Sequence, residues 1–225
     1  MSVDSDLHTT DMASHVPTTM AQQRYDTLAA DYDNRWRVYN RAVHAEVLRH
    51  LPHDMTKHRV LDVGCGTGAW LELLVRRNPQ ISGVVGVEPS REMLNRGCER
   101  FGKFSMQTIV ELLQSGAEEL QFQNDSFDVV TCLNTLHYLQ NAPQFFTDAH
   151  RVLDVGGTLI VQDYTHNGWP SFECAARVFD NGCVHVYTPR ELNDLAENTG
   201  FRVKYARTFR VTNFWRGVVL VATKN

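Results

Sequence analysis

The chain has 225 residues, of which 43% are hydrophobic, and this is enough for one ordinary globular core. Its formal net charge is −4 and its basic residues are dispersed, so nucleic acid is a poor candidate partner. The five cysteines are scattered and odd in number, which indicates free thiols in a reducing, cytoplasmic setting. No apolar run is long enough for a membrane span, and the polar N-terminus lacks the features of a secretory signal.

The N-terminal quarter divides into two parts. Residues 1–20 are rich in Ser, Thr and Asp and poor in large apolar groups, which predicts a disordered tail. Residues 21–57 predict a separate helical unit, with helices over 22–32 and 35–51. The second of these carries apolar residues at mixed spacings that include three and four, as a helix that packs on a core requires.

From residue 58 to residue 225, strand-like and helix-like segments alternate. The strands are predicted near 59–63, 82–88, 109–114, 127–132, 157–163, 202–210 and 215–223. The helices are predicted near 68–77, 90–101, 143–154 and 189–199. Such alternation is typical of a parallel α/β sheet with helices on both faces. The position of the third strand is the least defined, because helix and strand propensities mix over 101–121.

A glycine loop follows the first predicted strand and is the most informative motif. Gly64, Gly66 and Gly68 stand at alternate positions between that strand and the next helix. Glycine adopts backbone angles that other residues avoid, and its missing side chain lets a ligand contact the main chain. A loop of this kind between strand and helix predicts a site for a nucleotide-like cofactor.

Two carboxylates favour a cationic cofactor over a dinucleotide. Asp62 lies two residues before the loop, where it would repel a pyrophosphate. The loop also reads G-x-G-x-G, whereas the dinucleotide fingerprint is G-x-G-x-x-G. Glu88 ends the second predicted strand, where an acid accepts hydrogen bonds from both hydroxyls of a ribose. An NAD-dependent oxidoreductase is therefore disfavoured.

These features together resemble the class I S-adenosylmethionine-dependent methyltransferases. The loop sequence VLDVGCGTG is most similar to the small-molecule branch that includes the ubiquinone-biosynthesis type. Further similar segments follow in the family's order, at 125–130, 134–139 and 151–161. The resemblance covers residues 58 to 165. It implies a Rossmann-like sheet of seven mostly parallel strands, with an antiparallel last strand and helices on both faces.

The resemblance also implies roles for individual residues around the cofactor. Asp62 is expected to orient the loop and to reach the cofactor's amino group, directly or through water. Glu88 is expected to bind the ribose. Ala117 and Glu118 are expected at the adenine ring, although Gly116 stands where the family often has an acidic side chain.

Candidate catalytic residues follow the fourth and fifth predicted strands, at the edge where open α/β sheets bind ligands. A main-chain carbonyl near Leu133 could accept a hydrogen bond from the methionine amino group. His137 follows about one turn later and could act as a general base or simply pack under the lid. Asp163 and His166 could supply a base or a lid, or could belong to an ordinary solvated loop.

Aromatic residues of the N-terminal unit complete the predicted site. Tyr25 and Tyr32 lie in a segment that resembles the family's N-terminal lid, where aromatic faces attract a sulfonium ion. Packing of these rings on the sheet is an equally good interpretation. Cys183 and His185 have a C-x-H spacing, but two ligands are too few to predict a metal site.

The sequence therefore predicts methyl transfer from S-adenosylmethionine to a small-molecule acceptor, without a metal, nucleic acid or membrane partner. The residues leave open the acceptor, its reacting atom and the oligomeric state. The alternative is a protein that binds S-adenosylmethionine without transferase activity and acts as a partner or regulator.

Overall fold

The computed structural model describes residues 20–103, 109–165, 182–213 and 215–225. Most of the predicted tail, together with His166, therefore lies outside the described residues. The helices are α1 Met20–Leu28, α2 Tyr32–Arg35, α3 Arg37–Leu48, α4 Ala69–Arg77, α5 Arg91–Gly102, α6 Ala142–Val152 and α7 Pro189–Asn198. The strands are β1 Arg59–Val63, β2 Gly83–Glu88, β3 Val110–Gln114, β4 Phe127–Leu133, β5 Leu153–Thr165, β6 Phe201–Arg210 and β7 Arg216–Lys224.

The strands form one seven-stranded sheet in the order β3-β2-β1-β4-β5-β7-β6. The pairs from β3 to β5 are all parallel, whereas β7 runs antiparallel to both of its neighbours. This confirms the prediction of a mostly parallel Rossmann-like sheet with an antiparallel last strand. The uncertain third strand was predicted within one residue of its observed start.

Alternation along the central strands sends side chains into two hydrophobic layers. Leu61 and Val63 of β1 pack on the face that α6 and α7 cover. Val60, which precedes Leu61, packs on the opposite face with residues of α3, α4 and α5. Because both faces are covered, the central strands are almost continuously apolar, as buried parallel strands are.

Two boundaries differ most from the predictions. The first N-terminal helix ends at Leu28, and a separate short helix, α2, precedes α3. Strand β5 begins at Leu153, four residues before the predicted start, because Leu153 already pairs with Phe127 of β4. The register shifts immediately afterwards, and Gly156 absorbs the irregularity with a φ of 82°. The residues before the predicted start of this strand thus form an irregularity inside a longer strand.

The strand order places a crevice between β1 and β4. The chain leaves β1 towards β2 on one side and later enters β4 on the other, so the connections diverge above these two strands. Ligands of open α/β sheets bind in this crevice, outside the carboxyl ends of the strands. The glycine loop after β1 and the residues after β4 therefore meet at the same place.

Candidate cofactor and active site

The glycine loop is shaped by backbone angles that only glycine adopts easily. Gly64 and Gly66 have φ values of 76° and 53°. The Gly64 amide donates to the carbonyl of Val87 in β2 at 2.8 Å, which fixes the loop against the neighbouring strand. A Cβ atom on Gly64 would lie 2.1 Å from the hydroxyl oxygen of Thr135, whereas a Cβ on Gly66 would meet only open space.

Gly68 has a different part in the loop. It precedes α4 with a φ of 71°, and a Cβ there would lie 2.7 Å from the ring of Phe101 in α5. Gly68 therefore lets the loop turn into the helix against a core aromatic ring. It is absent from the lining of the cavity described next.

A cavity of about 450 Å³ lies beside the glycine loop. Its wall is built from α1 and α2, the glycine loop, the ends of β2 and β4, and the segment after β3. Most of the predicted cofactor residues line it, namely Tyr25, Tyr32, Gly64, Gly66, Glu88, Ala117, Glu118 and Leu133. Parts of the chain that are far apart in sequence thus meet around one space.

Glu88 carries a fixed carboxylate at this wall. Its side chain accepts hydrogen bonds from the amide of Gly66 at 3.1 Å and from the amide of Ser90 at 3.0 Å. Only 7% of the residue is exposed, and this burial raises the pKa of Glu88 to about 7. The two amide hydrogen bonds oppose the shift because they stabilise the ionised form.

Asp62 lies behind the glycine loop rather than in the cavity wall. Its carboxylate accepts a hydrogen bond from the Thr131 hydroxyl at 2.7 Å. Burial raises the pKa of Asp62 to about 7, against the effect of the Thr131 hydrogen bond and with a smaller contribution from the charge of Glu88. Asp62 and Glu88 therefore both have pKa values of about 7. A cationic ligand beside the loop would favour the ionised forms of both carboxyl groups.

The segment after β3 forms the far wall of the cavity. A Cβ on Gly116 would meet no atom within 4 Å, so the missing acidic side chain leaves open space there. The Ser115 amide donates to the carbonyl of Glu88 at 3.3 Å and joins this segment to β2. The carboxylate of Glu118 accepts a hydrogen bond from the amide of Asn141 at the start of α6.

Asn134 follows β4 in a conformation that non-glycine residues rarely adopt, with a φ of 53°. Its amide donates to the carbonyl of Gln162 at 2.8 Å, and its side-chain oxygen accepts from the Tyr39 hydroxyl at 3.0 Å. Local backbone strain of this kind is found at ligand sites. These bonds hold the turn after β4 against the cavity, which Asn134 lines.

His137 and Asp163 form a buried pair behind the turn that follows β4. The Nδ1 atom of His137 lies 2.7 and 2.9 Å from the two carboxylate oxygens of Asp163. The same carboxylate accepts hydrogen bonds from the amides of His137 at 2.9 Å and Tyr164 at 2.8 Å. His137 is 2% exposed and does not itself line the cavity. Its ring centroid lies 3.8 Å from that of Tyr138, with the two planes tilted by 47°, and Tyr138 does line the cavity.

The N-terminal helices cover the cavity and form hydrogen bonds with the segments around it. Gln22 donates to the carbonyl of Pro89 at 2.9 Å, and the Ser90 hydroxyl donates to Asp26 at 2.5 Å. The hydroxyls of Tyr25 and Tyr138 are 2.9 Å apart. Pro89 and Ser90 directly follow Glu88, and Tyr138 belongs to the turn after β4.

A second set of contacts joins the N-terminal helices to the glycine loop. Asp33 of α2 accepts a hydrogen bond from the Thr67 hydroxyl at 2.7 Å. It also pairs with Arg100 of α5, which in turn pairs with Glu72 of α4 at 2.5 Å. The covering helices are therefore held at two places, on the segment that follows Glu88 and on the glycine loop.

The C-x-H pair has ordinary partners. Cys183 accepts a hydrogen bond from the Tyr164 hydroxyl at 3.1 Å, and His185 pairs with Glu191 at 2.9 Å. Among the described residues, no three His, Cys, Asp or Glu side chains cluster as a metal site would require. No helix in that part of the chain is both long and apolar enough to span a bilayer.

Sequence reasoning missed Thr135, Ser90 and Tyr138 as parts of the site. Thr135 packs against Gly64. Ser90 donates its amide to the Glu88 carboxylate and its hydroxyl to Asp26. The hydroxyl of Tyr138 is hydrogen-bonded to that of Tyr25. All three depend on contacts between segments distant in sequence. The helix N-cap pattern after Glu88 could have identified Ser90, since its hydroxyl caps α5.

Comparison with known proteins identifies the family. Residues 34–206 match the model of the methyltransferase domain. The chain belongs to this methyltransferase family. It is 29% identical over 221 residues to a demethylmenaquinone methyltransferase of Deinococcus radiodurans, covering 86% of this chain and 87% of that protein. A ubiquinone/menaquinone biosynthesis C-methyltransferase of Campylobacter jejuni is 28% identical over 54% of this chain, and the chain spans 51% of that relative.

The solved structures agree on the fold. A putative methyltransferase of Haloferax volcanii, solved with its Trm112 activator, has a TM-score of 0.75, and the match covers 88% of this chain and 96% of that one. Its sequence identity is 19%, so this likeness concerns the fold alone.

The protein is therefore a class I S-adenosylmethionine-dependent methyltransferase of the ubiquinone-biosynthesis-like branch, and it methylates a small molecule. This confirms the expected activity and cofactor, and it favours the transferase over the non-enzymatic alternative. The residues present suit the cofactor. The cavity has open space beside Gly66 and Gly116. Its carboxyl groups can accept hydrogen bonds from the ribose hydroxyls and can attract the cofactor's positive charge.

Proposed function

We propose that this methyltransferase acts on a hydroxylated aromatic ring of the quinol type. The relative from Deinococcus radiodurans is named for a demethylmenaquinone, and the reduced, quinol form of such a ring carries two phenolic hydroxyls. The observation that carries the proposal is the His137–Asp163 pair, because a phenolic hydroxyl becomes a strong nucleophile, at oxygen or at ring carbon, only after a base removes its proton.

The cofactor would be held mainly by the glycine loop and its neighbours. Glu88 would accept hydrogen bonds from the ribose hydroxyls, and the main chain of Gly64 and Gly66 would pack against the cofactor. Ala117 and Glu118 would border the adenine. The carbonyl of Leu133 already accepts from the Thr135 hydroxyl at 3.1 Å, and its second lone pair can accept from the cofactor's amino group. Asp62 would act from behind the loop by its charge.

The chemical step would need alignment, exclusion of water and one proton transfer. When bound, S-adenosylmethionine supplies a methyl carbon activated by its positively charged sulfur leaving group. Asp163 would hold Nδ1 of His137 as the protonated nitrogen, which leaves Nε2 able to accept the proton of an acceptor hydroxyl. The resulting oxyanion would supply the electron pair for the new bond to the methyl carbon.

Residues 21–57 would serve as a lid over the cofactor. Tyr25 and Tyr32 lie in the cavity wall with their rings 5.8 Å apart in an edge-to-face arrangement. Such rings would attract the cofactor's positive sulfur and keep water from it. Because Gln22, Asp26 and Asp33 bond to loops of the body, entry and exit of the cofactor would require these contacts to open.

The remaining expectations concern partners and place. The net charge of −4 disfavours nucleic acid as the acceptor, and the dispersed thiols favour a cytoplasmic location without a membrane partner. His166 stays a candidate for the acceptor side by its position in sequence alone.

Two measurements test the proposed function. Calorimetry should show binding of S-adenosylmethionine and S-adenosylhomocysteine with little binding of NAD. Incubation with labelled S-adenosylmethionine and a set of hydroquinones and their fully methyl-etherified counterparts should label only acceptors with a free hydroxyl. Equal labelling of the etherified compounds would rule out the proton-transfer step, and cofactor binding without labelling of any acceptor would favour the non-enzymatic alternative.

A further inference from the structure

The hairpin between β6 and β7 carries two arginines in an unusual arrangement. Arg210 and Arg216 are direct partners across the antiparallel pair, and both are exposed. Like charges directly opposite each other destabilise a sheet. Within the described residues, neither arginine forms an ion pair with a carboxylate.

These arginines line a concave, polar depression of about 340 Å³. Its other described walls are Thr212 and Asn213, and no carboxylate contributes to the lining. Arg210 is held in place because its guanidinium donates to the carbonyl of Thr212 at 3.3 Å and to the side-chain oxygen of Asn213. A surface depression whose described lining holds two cations and otherwise neutral side chains is suited to an anion.

The sheet register brings this depression to the acceptor side of the active site. Arg216 is the partner of Thr165, which lies two residues beyond Asp163 on β5. Residues two apart on a strand, and partners across strands, share one face of a sheet. Strand geometry then places the Cα atoms of Arg216 and Arg210 about 8 and 12 Å from that of Asp163. A guanidinium on that face and a base at His137 are close enough to serve one small molecule.

We propose that Arg210 and Arg216 form a binding site for an anionic group, a carboxylate or a phosphate, on the methyl acceptor. The acceptor would then be an aromatic hydroxy compound that carries its negative charge at the end remote from the reacting atom. A planar, bidentate guanidinium suits both groups. This inference rests on the proposed function for the identity of the ligand as an acceptor, but the anion site can be measured without turnover.

The test uses the full chain saturated with S-adenosylhomocysteine and three aromatic probes, namely benzoate, phenyl phosphate and neutral phenol. Calorimetric or competition binding should show at least about tenfold tighter binding of one or both anions than of phenol. Arg210→Gln together with Arg216→Gln should remove this preference and leave binding of phenol and of S-adenosylhomocysteine unchanged. Arg216→Lys should retain part of the preference because it keeps the charge.

Arg202→Gln is the matched control, because Arg202 is an exposed arginine at the opposite end of β6. The Arg202→Gln variant should prefer anions over phenol to the same degree as the wild type. The proposal is overturned if phenol binds as tightly as the anions, if the double variant keeps the preference, or if Arg202→Gln removes it equally. Failure of the methylation assay with intact anion preference would count against the proposed function and not against this site. The relative affinities for benzoate and phenyl phosphate show which anion the site accepts.

Discussion

The proposed cofactor side and the proposed acceptor side of this sheet edge are built by different means. On the cofactor side, a continuous loop supplies backbone amides, and the Gly66 amide itself bonds to Glu88. On the acceptor side, the described groups come from separate strands and turns, with His137 after β4, Asp163 at the end of β5 and the arginines on the β6–β7 hairpin. The glycine loop of the cofactor side therefore depends on local backbone geometry, whereas the acceptor side depends on strand register.

This difference has a consequence for specificity. A loop whose angles require glycine tolerates little change, so the site it forms suits a cofactor that does not vary. Side chains at strand ends can be replaced without disturbing the backbone, since loops at this edge carry function on a rigid scaffold. The acceptor can thus differ between relatives that share the cofactor side.

The largest expected effect lies on the acceptor side, at Asp163. Changing Asp163 to Asn keeps the side-chain shape but offers an amide that can donate to Nδ1 of His137, which would leave the proton on Nε2. We expect turnover to fall by about 10²–10⁴-fold with nearly unchanged cofactor affinity. Steady-state kinetics and calorimetry on one preparation measure both quantities.

A purely structural part for this pair would give another pattern. Asp163 accepts two backbone amides, so its loss could instead lower the melting temperature while turnover per folded molecule stays normal. His137→Gln provides the second variant, because it removes the base and leaves the Asp163 carboxylate free to accept those amides. Normal turnover in a folded His137→Gln protein would exclude the base.

On the cofactor side, Gly64→Ala should have the next largest effect. The new methyl group would collide with Thr135, and the left-handed backbone alone costs about 1–2 kcal/mol for a non-glycine residue. Urea unfolding should show at least that loss, together with weaker cofactor binding. Gly116→Ala is the matched control, since its methyl group meets no protein atom within 4 Å. Equal stability of the two variants would contradict the assigned loop geometry.

Glu88→Gln sharpens the comparison by removing charge without removing volume. An amide accepts through only one oxygen, so a ribose hydroxyl or a backbone amide loses its acceptor, at a cost of about 1–3 kcal/mol in cofactor affinity. Calorimetric titration with S-adenosylhomocysteine measures the loss. An unchanged dissociation constant in a folded variant would mean that the ribose is held elsewhere.

The raised pKa values of Asp62 and Glu88, both about 7, predict a pH dependence of cofactor binding. Folding raises these pKa values, so the contribution of the two carboxyl groups to the stability of the free protein should fall as the pH rises from about 4 to about 7. The positive cofactor favours the ionised carboxylates, so its affinity should rise over pH 6–8 with release of protons. Calorimetry in buffers of different ionisation enthalpy detects that release. Binding without it at pH 6 would contradict the prediction.

The smallest expected effect concerns the lid. Asp33 is 45% exposed at its side chain, so the loss of its ion pair with Arg100 in Asp33→Asn should cost no more than about 1 kcal/mol. Hydrogen exchange should nevertheless become faster over residues 20–48, because a lid contact is weakened. Asp31→Asn, at a neighbouring exposed position without a contact to the body among the described hydrogen bonds, should leave exchange unchanged.

The sequence by itself determined the fold class, the seven strands, the glycine loop and the acid at Glu88. These features are local, because a strand reveals itself by apolar runs, a tight loop by its glycines, and a strand end by the residue that follows. The family resemblance rested on the same local segments. Most of the residues predicted for the cofactor belong to such segments, and Glu88, Gly64, Gly66 and Leu133 all line the same cavity.

Only the tertiary structure decided how distant segments meet. It joined His137 to Asp163, placed Asp62 behind the loop, moved the start of β5 to Leu153 and set Arg216 opposite both Thr165 and Arg210. These pairings cannot be inferred from a single sequence. A one-residue change of register turns every side chain to the other face of a sheet, and register is fixed by packing between strands far apart in the chain.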